Sequence, residues 1–182
     1  MRLEVPESTL HLGGLALAHA AWSVCDLPAG QALCPLAFVR RGGELQLMRF
    51  EAESQERAIR GGRRELAKRQ SQFDAWAFAR EGLMDERVFG LENAKSSAAG
   101  KIDVLAVDTW SHEMKKPITV IQAYQPFSTG EFRVLGDALI VANGETVDGP
   151  RGDRLRSHVY VGVQRHEKVA PMWKQWRAAS SP

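Results

Sequence analysis

The chain has 182 residues, 44% of them hydrophobic and 25% charged. That balance fits a globular protein of one domain, 1–182, with length enough for a substantial core. A formal net charge of +2 argues neither for a strong nucleic-acid binder nor for an acidic one. Two cysteines, Cys25 and Cys34, are too few and too far apart for a zinc site. They read as small buried apolar residues and would pair only in an oxidising compartment.

The first element is the apolar run Leu10–Cys25. Ala18-His19-Ala20 mimics an export cleavage site, yet Arg2, Glu4 and Glu7 give a net negative start where a signal needs a positive one. The run is also shorter than the roughly 20 residues of a membrane span, so it reads as a buried structural segment of a cytoplasmic protein. Leu10, Leu17, Ala21 and Val24 recur at helical spacing behind a Ser8 or Thr9 cap. Gly13-Gly14 leaves two short strands, Thr9–Leu12 and Trp22–Leu27, as the alternative, and the alanines favour helix.

Asp26–Cys34 is a loop. Pro35–Arg41 and Glu44–Phe50 flank Gly42-Gly43, a strong hairpin signal because both turn positions accept positive φ. Glu51–Gln70 is the clearest helix, capped by Ser54 and carrying a narrow stripe of Ala58, Ile59, Gly62 and Leu66. Gly61-Gly62 in its middle predicts a kink or a close approach of its backbone to the sheet. Four strands then form an antiparallel meander: Phe73–Glu81, Ile102–Trp110, Pro117–Phe127 and Phe132–Ala142. Its connections are short, except for a polar and mobile stretch at 92–100. After it, the glycines and Pro150 of Asn143–Arg156 predict a second mobile loop. His158–Gln164 follows as a last strand, and Arg165–Ala178 as a helix with Met172, Trp173 and Trp176 on one face. The fold class is therefore α+β: a meander sheet with a long helix on one face, an N-terminal apolar segment and a C-terminal helix. Residues 71–147 carry 7 basic and 11 acidic side chains, and residues 148–182 carry 7 and 3, so charge attraction would help dock the tail.

Candidate chemistry is sparse. Asp108, His112 and Glu113 gather at one hairpin tip, where His112 would be a general base oriented by a carboxylate; His158 is a further candidate. The plainer account is a solvated turn. No second histidine follows His112-Glu113 at zinc spacing, so no metal site is expected, and no motif calls for a cofactor. Arg60–Arg69 would grip phosphate or nucleic acid, but the acids Glu51, Glu53, Glu56 and Glu65 dilute it into an ordinary solvated helix face. Arg151, Arg154 and Arg156 are a candidate anion patch beside loop glycines. Trp110, at a strand end, with Gln122 and Tyr124 on the neighbouring strand, is the candidate partner-binding surface.

In layout the chain resembles the Mog1/PsbP-like α+β domains, including the bacterial branch of secretion-effector chaperones. Glu7-Ser8-Thr9-Leu10-His11-Leu12 and Leu36-Ala37-Phe38-Val39-Arg40 are similar to that branch in character. The loop at Asn143–Arg156 and the helical look of Leu10–Cys25 depart from it. The resemblance implies a non-enzymatic accessory module that binds a protein partner on a sheet face or edge. A small enzyme using Asp108, His112 or His158 is the rival, phosphate or nucleic-acid binding through Arg60–Arg69 a third reading, and a homodimer is left open.

Overall fold

The computed structural model describes residues 4–92 and 94–178. The period-two stretches become β1 (Leu36–Arg41), β2 (Glu44–Arg49), β3 (Ala75–Asp85), β4 (Lys101–Ser111), β5 (Ile118–Gln125) and β6 (Arg133–Ala142), and a short strand that the sequence did not announce, β7 (Glu145–Thr146), follows them. They form one antiparallel sheet in the order β2-β1-β3-β4-β5-β6-β7. The β1–β2 hairpin turns through Gly42 and Gly43 at φ 57° and 84°, both values that only glycine takes without strain. The chain then crosses over the sheet and returns beside β1, which leaves β2 outermost.

Four helices complete the fold: α1 (Glu7–Val24), α2 (Gln55–Lys68), α3 (Gly149–Gln164) and α4 (Val169–Ala178). The N-terminal apolar run is thus a helix. It lies across β3 and β4, where the Thr109 hydroxyl donates to the Thr9 carbonyl (3.1 Å). Alanines make this close seat possible, because Ala16, Ala20 and Ala21 of α1 and Ala75, Ala77 and Ala79 of β3 are all buried. α3 runs beside α1, and α4 packs on β6 with Trp173 buried and Trp176 edge-on to Phe132. Asp137 accepts from Arg177 (2.7 Å), one ion pair of the attraction expected between sheet and tail. α2 covers the opposite face, over β3.

Close approach is what the α2 glycines permit. A Cβ on Gly62 would lie 2.7 Å from the Phe78 ring, whereas Gly61 faces open space.

The region after β6 corrects the sequence reading. Residues 149–164 are the helix α3, not a loop followed by a strand at His158–Gln164. The alternation of His158-Val159-Tyr160-Val161 suggested a strand. What decides is the buried set Gly152, Leu155, Val159, Gly162 and Val163, which recurs at helical spacing. Its glycines are contact points: a Cβ on Gly162 would overlap the His11 carbonyl, and one on Gly14 the Val159 carbonyl. The two helices cross backbone to backbone there. Pro150 sits in the first turn, where its missing N–H costs nothing. Ser96 and Ser97 are tied to Asp103, which accepts from Ser96 Oγ (2.8 Å), Ser97 N (2.8 Å) and Ser97 Oγ (2.6 Å).

Candidate functional site

The hairpin-tip residues point to different places. Asp108 lies inside β4 on the α2 face, accepting from Arg80 (2.8 Å), Arg63 (3.3 Å) and Thr119 Oγ1 (2.8 Å). Its carboxylate is occupied by two guanidinium groups and a hydroxyl, and none of the candidate imidazoles is among its partners. His112 follows β4, exposed, with Nδ1 3.1 Å from the Asp74 carbonyl oxygen. His158 is on α3, across the sheet, and its Nε2 meets Glu7 at 3.3 Å. Asp108, His112 and His158 therefore do not assemble into one acid–base set.

Glu113 and His158 do share a cleft, of about 740 Å³, with Arg151 and Arg154 on its wall and Leu10 and Leu155 on its apolar side. Glu4 and Glu7 also line it, and Glu7 faces both His158 and Arg154 (3.7 Å). Three carboxylates thus match three bases, so the cleft has no surplus positive charge to draw an anion. Arg156 is not on its wall and pairs with Asp153. On α2, Arg57, Arg60 and Arg69 pair with Glu53, Glu56 and Glu65 one turn away, and Arg63 reaches Asp108. Of the five bases in Arg60–Arg69, Arg60, Arg63 and Arg69 thus have carboxylate partners.

The proposed partner-binding trio lies in the interior, which corrects the sequence reading. Trp110, Gln122 and Tyr124 are 6%, 1% and 2% exposed. Trp110 stacks on Trp76 and donates Nε1–H to the Met114 carbonyl (2.9 Å). Gln122 sits where the β5–β6 register shifts, and its amide donates to the Leu135 carbonyl (2.8 Å), closing backbone that the bulge leaves unpaired. Tyr124 donates to Glu81, which also accepts from the Leu33 amide. Burial, then the Glu81 carboxylate, holds the phenol well above its usual range. These groups fix the sheet and the loop before β1, and partners cannot reach them without unfolding it.

Sequence reasoning missed a chain of hydrogen bonds joining β2, α1 and the α3–α4 turn. His19 Nε2 lies 3.3 Å from Arg49 Nη2, and His19 Nδ1 lies 3.1 Å from His166 Nε2. Arginine only donates, so His19 accepts at Nε2 and donates from Nδ1–H, and the remaining His166 proton sits on Nδ1. That Nδ1 is buried and finds no partner among the described residues. Burial, then His166 and Arg49, lowers His19 to about 4. Nothing in linear spacing brings residues 19, 49 and 166 together.

The outer edge of the sheet is the remaining feature. Phe50 N donates to the Pro35 carbonyl (2.9 Å), and the register places Leu36 opposite Arg49. Hydrogen-bonded pairs alternate in an antiparallel ladder, so Met48, Gln46 and Glu44 bond to β1. The N–H and C=O groups of Leu45, Leu47 and Arg49 consequently turn outward from the edge. Leu45 and Leu47 are 45% and 41% exposed, on the α1 face with Arg49. The strand contains no proline, lysine or bulge, the usual protections of an edge. The far edge differs: β7 is two residues long, and the chain leaves it for α3.

No protein-family model matches the chain, nor does any curated protein or solved structure.

Proposed function

We propose that this chain is a non-enzymatic protein-binding module that takes an extended partner segment as an added strand on β2. The observation that carries the reading is the unprotected β2 edge, with three residues' backbone groups facing outward and two leucines at their side. Strand addition draws its affinity from main-chain hydrogen bonds and its selectivity from alternate side chains. Leu45 and Leu47 would take apolar residues of the incoming strand on the α1 face. The layout resemblance to Mog1/PsbP-like domains supports the same class of activity, an accessory protein that holds another chain. The separation of Asp108, His112 and His158 weighs against the small-enzyme rival, and the paired arginines of α2 against phosphate or nucleic-acid binding.

The test is Leu47→Pro. The Leu47 N–H is not used by β1, and proline is tolerated on an edge whose N–H faces outward. The variant should keep the wild-type circular dichroism spectrum yet lose stoichiometric capture of a partner from host lysate. Capture equal to wild type by the folded variant would contradict strand addition at β2.

A further inference from the structure

We infer that β2 pairs with β2 of a second copy of this chain, joining two sheets into one of fourteen strands about a twofold axis. The inference rests on the strand-addition reading and names the occupant of that edge. Its basis is the self-complementarity of the strand.

An antiparallel pair of identical strands related by a twofold axis perpendicular to the sheet must match residues on the same face. Only registers in which a residue faces itself or one an even number of positions away are then allowed. Centring the axis on Gln46 sets Leu45 opposite Leu47 of the other copy, and Leu47 opposite its Leu45. All four leucines then meet on one face, and each gains an apolar cross-strand neighbour. The backbone agrees with this register. Leu45 and Leu47 are the residues whose N–H and C=O point outward, so both matched pairs become hydrogen-bonded ones. Gln46, already bonded to β1, faces itself across the wide spacing, where its amide can pair with its symmetry mate. Glu44 falls opposite Met48 and Arg49 opposite Gly43, so no like charges face one another. Centring on Leu47 instead sets Leu45 against Arg49, and centring on Leu45 sets Leu47 against Gly43. Each of these leaves half of the leucine surface unmatched. α1 packs on β1, β3 and β4 and α2 on β3, and β2 is not among the main packing partners of either; Arg49 reaches His19 from the α1 face and leaves the outer side of the strand open. A second hairpin can therefore approach in the sheet plane.

The register makes a positional test possible. Self-facing Gln46 residues in a non-hydrogen-bonded pair stand about 4.5 Å apart at Cα, within the roughly 4.4–6.8 Å that a disulfide spans. In a Cys25→Ser, Cys34→Ser background, Gln46→Cys should form an intermolecular disulfide under mild oxidation. Glu44→Cys, which falls opposite Met48, should not. Sedimentation velocity of the unmodified chain should give twice the chain mass. Leu47→Lys and Leu47→Pro should each weaken association by roughly tenfold or more, since each change is felt twice across the axis. A chain that sediments as a monomer at every concentration, or a dimer indifferent to both Leu47 variants, would overturn self-pairing. Efficient Glu44→Cys crosslinking in place of Gln46→Cys would overturn this register. A monomer that still captures a lysate protein in a Leu47→Pro-sensitive way would remove self-pairing and leave strand addition standing; loss of both signals would remove both.

Discussion

His19 illustrates how a single side chain can carry a pH dependence that its surroundings impose. It is half-buried, and its two ring nitrogens are committed to Arg49 and His166. Protonation would put a proton on Nε2 facing a guanidinium. Its folded value of about 4 lies below the ordinary 6.5, so between these two pH values the unfolded chain binds more protons. Stability is then unpenalised above about pH 6.5 and falls as pH drops towards 4. His166 and His11, lowered chiefly by burial, act in the same direction. After discounting for solvent screening, the His19 share should be about 1 kcal/mol. Urea midpoints of wild type and His19→Gln at pH 7 and pH 4.5 measure it: the loss on acidification should shrink in the variant. An equal loss in both would contradict the assignment. None of this was legible in the sequence, because residues 19, 49 and 166 meet only through the tertiary fold. Asp108 shows the reverse: its place in a polar sequence cluster suggested chemistry, but Arg80, Arg63 and Thr119 take up its carboxylate inside the sheet, while His112, just past the end of β4, turns to the Asp74 carbonyl.

At the scale of elements, glycine carried information that the sequence could be read for only in part. Gly42-Gly43 announced a two-residue hairpin, and the positive φ values explain why. Gly61-Gly62 announced a kink or a close approach, without saying which, or which glycine makes it. The structure separates them. Gly61 has open space, so Gly61→Ala should stabilise by about 0.5–1 kcal/mol through helix propensity and unfolded-chain entropy. Gly62→Ala should instead destabilise by about 1–3 kcal/mol, because Phe78 and Phe50 must move. Chemical denaturation of the two neighbours reads opposite signs; equal signs would sink the packing account. α3 was misread because Gly149 and Gly152 resemble loop punctuation. Gly152 and Gly162 are instead sites of backbone contact with residues 147 and 11, and only the helical recurrence of Leu155, Val159 and Val163 signals the helix. The central strands were legible, since Ile, Val and Thr recur at period two along β5, and its register against β4 runs unbroken from Ile118 to Tyr124.

At the scale of the molecule, the distribution of cover is what points to function. One face of the sheet carries α1, α3 and α4, and α2 covers part of the other. The β7 edge is cut short, while β2 runs six residues with its outer side open. Burial of Trp110, Gln122 and Tyr124 removes the surface that sequence reasoning favoured, since tryptophan and tyrosine serve cores as well as interfaces. What replaces it was only half legible: Leu45 and Leu47 alternate visibly, but the strand order that makes β2 an edge is not written in local pattern. The most direct measurement of the central claim is residue-resolved amide hydrogen exchange across β2 at rising protein concentration. Gln46 and Met48, bonded to β1, should be protected throughout, and Leu45, Leu47 and Arg49 should pass from fast exchange to protection as the added strand forms. Leu45 and Leu47 amides that stay fast at every concentration and with captured partner bound would contradict strand addition at this edge.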